Sequence, residues 1–245
     1  MAKTNHSNVY LVRHTALDTL RVAKVIRKAD MDSDTILREA RLIKNLKHSH
    51  IPVIYDIEED DISICIIEEY IDGKSLRQYV NDETGAGGNL SVHEICRIGV
   101  ELCCILEYLH GFNGNGILHM DIKPDNIMLD INGKVKLIDF DNAVAGNAGV
   151  SVDSGSPLYA APEQYESQGQ TDARTDIYSL GVMLFELVTG ESPHRLCPVR
   201  KIRPELSAGL ESILEICTQT DPAERFSSCA ELKYALEHSW EMDER

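Results

Sequence analysis

The stretch His119-Met120-Asp121-Ile122-Lys123-Pro124-Asp125-Asn126, followed by Asp139-Phe140-Asp141, decides how the rest of the chain is read. An Asp, a Lys two residues on and an Asn three beyond that share one short polar loop. A hydrophobic strand from Val135 to Ile138 then delivers a second Asp. Transfer of a phosphoryl group from a metal–nucleotide needs these parts: a carboxylate to orient the attacking hydroxyl, a cation beside the moving phosphate and oxygen ligands for a divalent metal. A turn-forming Asp, or hydrogen bonding within a hairpin, would explain any one of these residues. Neither explains all of them at this spacing.

Outward from that loop, the pattern changes from strands to helices. Val9 to Arg13 and Arg21 to Arg27 are apolar, β-branched runs about a polar turn and read as a hairpin. Asp32 or Ser33 can cap a helix running to about His48, with Ile36, Leu37, Ala40, Ile43 and Leu46 on one face. Strands follow at Val53 to Ile57 and Ile62 to Ile67, and a short helix begins near Lys74. The Gly-rich stretch Thr84 to Asn89 reads as a loop, and Ser91 caps a long helix from Val92 to His110. Strands at Ile127–Leu129 and Val135–Ile138 flank an Asn132-Gly133 turn. Beyond Pro162 the periodicity is helical, with runs at Ile177–Val188, Gly209–Thr218 and Cys229–Glu237. A sheet with one helix, then mostly helices, is an α+β arrangement of a small sheet lobe and a larger helical lobe.

Composition narrows the partners. The chain has 245 residues, is 43% hydrophobic and 26% charged, and carries a formal charge of −16, which disfavours nucleic acid or an anionic membrane surface. The first 50 residues hold ten Lys/Arg against five Asp/Glu, so the acidic excess lies in the remainder. Seven cysteines form no C-x-x-C pair, and Cys103-Cys104 sit in an apolar run, as expected of core thiols in a reducing compartment. No apolar run approaches membrane-spanning length and no signal-peptide core is present. The expected location is cytoplasmic.

At this point the chain resembles the protein-kinase family, whose catalytic loop reads H-R-D-x-K-x-x-N and whose metal loop reads D-F-G. The resemblance runs from about Val9 to the end and implies a bilobal kinase fold. Residues 1–71 would form the sheet lobe, without its first strand and Gly-rich loop, and residues 72–245 the helical lobe. It implies that Asp121 orients and deprotonates the substrate hydroxyl and that Lys123 stabilises the phosphate in transit. Asn126 and Asp139 would hold Mg²⁺. Lys24, in Arg21-Val22-Ala23-Lys24-Val25-Ile26, resembles the strand lysine that binds the α- and β-phosphates of ATP, and Glu39 resembles the helical Glu that pairs with it. The hinge resembles Glu68-Glu69-Tyr70-Ile71-Asp72-Gly73, where the C=O of Glu69 and N–H of Ile71 would bind adenine, with Val9, Val22 and Met128 about the ring. Gly155-Ser156-Pro157-Leu158-Tyr159-Ala160-Ala161-Pro162-Glu163 resembles the end of an activation segment, Arg225 the partner of Glu163, and Asp176 the brace under the catalytic loop. Lys123-Pro124 is similar to Ser/Thr kinases, and the wording from Glu163 to Gly181 to kinases of Gram-positive bacteria. The implied activity is ATP- and Mg²⁺-dependent phosphorylation of Ser or Thr on a protein substrate.

Four departures bear on that activity. Ala2 to Asn8 contains no glycine where a phosphate loop should be, so nucleotide affinity should suffer. Met120 replaces the Arg that pairs with an activation-loop phosphate, which argues against phosphorylation as the switch although Ser151, Ser154 and Ser156 are available. Asp141 replaces the glycine of D-F-G and adds a charge that either attracts the metal or distorts its site. Glu68 stands at the back of the adenine pocket, where a carboxylate needs a partner; competition with Glu39 for Lys24 would give an inactive resting state. These departures keep a pseudokinase, a binding or scaffolding module with little turnover, as the alternative. A small-molecule kinase is disfavoured by Ala161-Pro162-Glu163.

Overall fold

The computed structural model describes residues 2–3, 7–30, 36–37, 41–85, 90–146, 156–165 and 170–239. β-branched alternation builds an antiparallel sheet from β1 (Ala2–Lys3), β2 (Ser7–His14), β3 (Thr19–Arg27), β4 (Ile54–Glu59) and β5 (Ser63–Glu69), in the order β1-β2-β3-β5-β4. The register sets Val9 and Ile66 on either side of Lys24, and Glu68 opposite Val22. Because side chains alternate, Val9, Val22, Lys24 and Glu68 share one face of the sheet. β1 is a correction to the sequence reading, which left no residues for a strand ahead of β2: Ala2 pairs with Val9 and Lys3 with Asn8.

The segment after β3 is helical at Ile36 and Leu37 and again at residues 41–43. Ile36 is fully buried against Ile26, Ile64 and Ile66 of the sheet. The helix does not continue to His48. Beyond Ile43 the chain turns, and tertiary contacts hold it out of helical geometry: Lys47 N–H donates to the Tyr108 hydroxyl at 2.8 Å, and the His48 ring stacks on Tyr108.

The second lobe contains β6 (Gly73–Ser75), α1 (Leu76–Gly85), α2 (Val92–His110), β7 (Ile117–Leu118), β8 (Ile127–Asp130), β9 (Val135–Leu137), β10 (Val144–Ala145), α3 (Ala173–Thr189), α4 (Ala208–Cys217) and α5 (Cys229–Glu237). Thr84 and Gly85 end α1 rather than belonging to a loop. Ser91 caps α2 by accepting from Glu94 N–H; Asp172 caps α3, and Gly190 closes it in the left-handed region at φ 72°. α3 is buried on most sides, as a helix apolar around its circumference must be. It lies so near α4 that a Cβ on Gly181 would stand 2.3 Å from Cys217 Cβ. One core runs through α2, α3, α4 and α5 and takes in Ile43, Leu46 and Ile51 from beside the sheet, which ties the lobes together.

Two short ribbons, β6-β8-β9 and β7-β10, rest on this core. The polar loop at residues 119–126 spans the gap between β7 and β8, and Asp139 lies two residues past the end of β9. All seven cysteines are free. No described helix is long and apolar enough to cross a membrane.

Candidate active site

The loop between β7 and β8 is held from below and shaped from within. Asp176, fully buried at the start of α3, accepts from the backbone N–H of His119 (2.9 Å) and Met120 (2.8 Å) and pairs with His110 Nε2 (2.8 Å). Gln164 Nε2 donates to the Met120 carbonyl. These bonds hold Met120 at φ 66°, a left-handed backbone that a non-glycine residue adopts at a cost of roughly 1–3 kcal/mol. The Met120 side chain is fully buried where the family places an Arg. Burial lowers the pKa of the His119 imidazole, against the charges of Asp176, Asp121 and Asp139. Its ring meets Phe140 edge-on at 4.8 Å.

Asp121 is 6% exposed, and both its oxygens are engaged. Oδ2 accepts from Lys123 Nζ (2.7 Å) and Asn126 Nδ2 (2.9 Å), and Oδ1 from Ser156 N–H (3.1 Å). Burial by itself would raise this carboxyl; the hydrogen bond and charge of Lys123, with Ser156, outweigh it and hold the pKa below the usual carboxylate range. Lys123 Nζ also donates to Ser156 Oγ at 2.7 Å. The 3₁₀ turn Pro124–Asn126 carries Asn126 back under the loop, where Nδ2 also reaches the Asp121 carbonyl (2.9 Å). Both donations come from Nδ2. They leave the amide Oδ1, a hard oxygen of the type divalent ions take, for another partner. The Asn126 carbonyl accepts from Ile138 N–H, which couples this turn to the residue before Asp139.

Asp139 has φ 62°, a conformation Asp tolerates better than most residues. Its Oδ1 lies 3.1 Å from Lys24 Nζ, a contact between residues 115 apart that bridges the two lobes. Lys24 is also ion-paired with Asp141. Asp141 is absent from the described non-glycine residues with positive φ, so its replacement of glycine strains no backbone there. Glu39, the expected Lys24 partner, lies outside the described residues.

The stretch expected as the hinge begins with the last two residues of β5, Glu68 and Glu69, and continues beyond it. Glu69 N–H donates to the Val53 carbonyl, while the Glu69 side chain accepts from Lys136 Nζ at 2.6 Å and from Val53 N–H at 3.3 Å. Ile71 is buried. Val9 and Val22 are half-buried on the Lys24 face of the sheet; Met128, also half-buried, sits on β8 opposite Ser75 and Lys136. Burial raises the Glu68 carboxyl; the Lys24 charge opposes this and Asp139 adds to it.

The activation-segment end is pinned from two sides. Glu163 and Arg225, both buried, form a bidentate pair at 2.7 and 2.8 Å, and Thr175 Oγ1 donates to the same carboxylate. Tyr159 OH and Arg77 converge on Glu186 of α3, each at 2.6 Å, and Arg77 Nε reaches Asp125 at 3.3 Å. Sequence reasoning missed Arg77 and Glu186, which are 109 residues apart and carry no local signature. It took Ser156 only as a phosphorylation candidate; its place in Gly155-Ser156-Pro157, before the Ala161-Pro162-Glu163 anchor, was the available signal.

A profile of the protein kinase domain matches residues 3–241. The chain is 28% identical to the serine/threonine-protein kinase PrkC of Bacillus subtilis over 97% of its own length and 39% of that protein. It is 33% identical to a probable serine/threonine-protein kinase of Streptomyces coelicolor, over 97% of this chain and 38% of the other. With the probable serine/threonine-protein kinase PknB of Lactococcus lactis it shares 28%, over 98% and 41%. The chain thus spans about two-fifths of the length of these relatives.

Proposed function

The chain belongs to the protein kinase family, and from that premise we propose that it transfers the γ-phosphoryl group of ATP to Ser or Thr hydroxyls of proteins. The observation that carries this reading is the Asp121–Lys123–Asn126 cluster, with Lys24 reaching Asp139 from the other lobe. In the reaction a substrate hydroxyl oxygen bonds to the γ-phosphorus as the β–γ bridging bond breaks. Asp121, ionised, accepts a hydrogen bond that orients the hydroxyl and receives its proton as the new bond to phosphorus forms. Lys123 spans Asp121 and the activation segment and offsets charge on the moving group. Lys24 binds the α- and β-phosphates, and the Glu69 carbonyl and Ile71 N–H hold adenine between Val9, Val22 and Met128. The oxygens of Asn126 and Asp139 suit Mg²⁺, which when bound neutralises the phosphates. Catalysis is positioning and electrostatics, with no covalent step by the protein.

The protein substrate is a Ser/Thr acceptor, and Lys123-Pro124 supports that class. We place the activity in the cytoplasm, where ATP is available and seven free thiols persist. The boundary of the sheet lobe falls at residues 71 and 72 in this reading, just before β6 joins the ribbon of the helical lobe.

The test is transfer of label from γ-³²P-ATP to a generic basic protein with Mg²⁺. Asp121→Asn should lower kcat by about 10²–10⁴-fold while ATP binding survives. Labelling that is unchanged by Asp121→Asn would end the assignment.

A further inference from the structure

Lys24 is the group through which the sheet lobe meets the metal loop, and its neighbourhood holds more negative charge than one ammonium can balance. Its side chain is 8% exposed and is paired with both Asp139 and Asp141, each 26% exposed. The backbone of Lys24 sits mid-strand, hydrogen-bonded between β2 and β5, so only its side chain can move. Two carboxylates, two residues apart in sequence, converge on that side chain. When Asp139 turns its oxygens to a divalent metal, as the function proposed above requires, Asp141 remains. It has no other ion pair among the described residues.

We infer that Asp141, at a position where the family has glycine, is a built-in competitor for Lys24 that ATP must displace to bind. The inference rests on the nucleotide site proposed above and adds a control on it. A phosphate and a carboxylate are both anionic oxygen acceptors for the same ammonium. The chain that holds Lys24 on Asp141 is not competent for phosphate, and the apparent affinity falls by the competent fraction. Asp141 therefore sets ATP affinity without touching adenine or the acceptor hydroxyl. It takes part through Lys24 and is a positioning residue.

The experiment is calorimetric titration of the full chain with ATP, with Mg²⁺ and separately with EDTA. The variants are Asp141→Asn, Asp141→Gly, Lys24→Met and Lys24→Met combined with Asp141→Asn, and circular dichroism checks that each is folded. Asp141→Asn preserves size and shape, so the inference stands or falls on it even where the glycine variant fails to fold. Asp141→Asn is expected to tighten Kd about tenfold in both solutions. In the Lys24→Met background the same change should have no effect, the coupling expected of residues that act on one another. An unchanged Kd for Asp141→Asn overturns the inference while leaving the nucleotide site intact. A Kd that weakens only with Mg²⁺ also overturns it and makes Asp141 a metal ligand. Folded protein in which neither wild type nor Asp141→Asn binds ATP overturns the site and the inference together.

Discussion

Asp121 accepts three side-chain-directed bonds, and their directions divide its work. Asn126 and Lys123 share Oδ2, while the Ser156 N–H fixes Oδ1. Rotation about the side chain would break at least one of these bonds, so the carboxylate is held in one orientation. Ser156 adds a second constraint through its hydroxyl, which tethers the Lys123 ammonium. Ser156→Ala removes that tether and leaves the backbone N–H in place. A hydrogen bond to a charged group contributes about 1.5–3 kcal/mol to stability, so the melting temperature should fall, and kcat should fall with it because the Lys123 ammonium is no longer tethered. Steady-state kinetics beside a thermal melt separate the two. Glu68 offers a different test. Its folded-state pKa is raised, so it favours the fold fully below the unfolded value near 4.5, and that contribution is lost as pH rises through the folded value. Glu68→Gln cannot ionise. Relative to wild type it should therefore melt higher at pH 8 and gain less, or nothing, at pH 4. An equal gain at both pH values would show that ionisation is not the cause.

At the scale of elements, what could be read in advance was what the chemistry or the local pattern fixes over a few residues. The N-cap of α2 and the apolar run of α3 lie within single segments, and so do the offsets of Asp121, Lys123 and Asn126. The two-residue strands β1, β7 and β10 could not be read, because a strand that short has no periodicity and exists only through its partner. The early end of the first helix was hidden for a related reason: Tyr108, which captures Lys47 and His48, lies some sixty residues on. Gly181 shows how little a residue type says without its surroundings. Mid-helix glycine costs about 1 kcal/mol against alanine, yet here the missing Cβ is what lets α3 and α4 touch. Gly181→Ala should consequently destabilise the chain by about 1–3 kcal/mol through overpacking, despite alanine's better helix propensity. Urea unfolding would measure it, and a stabilised variant would refute the packing argument.

Across the whole molecule, the working parts are supplied by distant segments and locked to one another through buried charge. Arg225 is the clearest lock. Its guanidinium holds both oxygens of Glu163 and also donates to the carbonyls of Arg174, Gln219 and Thr220. One side chain thus joins the end of the activation segment, the first turn of α3 and the loop before α5. The same first turn carries Asp176, which holds the loop of Asp121. A disturbance at Arg225 is therefore expected to reach catalysis through α3 as well as to weaken the fold. Arg225→Ala strands the buried Glu163 carboxylate and should cost about 3–5 kcal/mol. Arg225→Lys keeps the charge but cannot form the bidentate fork or reach all three carbonyls, so it should recover only part of that loss. Were the arginine merely a counter-charge, lysine would restore both the unfolding midpoint and kcat. Partial recovery of the midpoint without recovery of kcat is the outcome that follows from its geometry, because only the fork holds the activation segment at a fixed distance from α3.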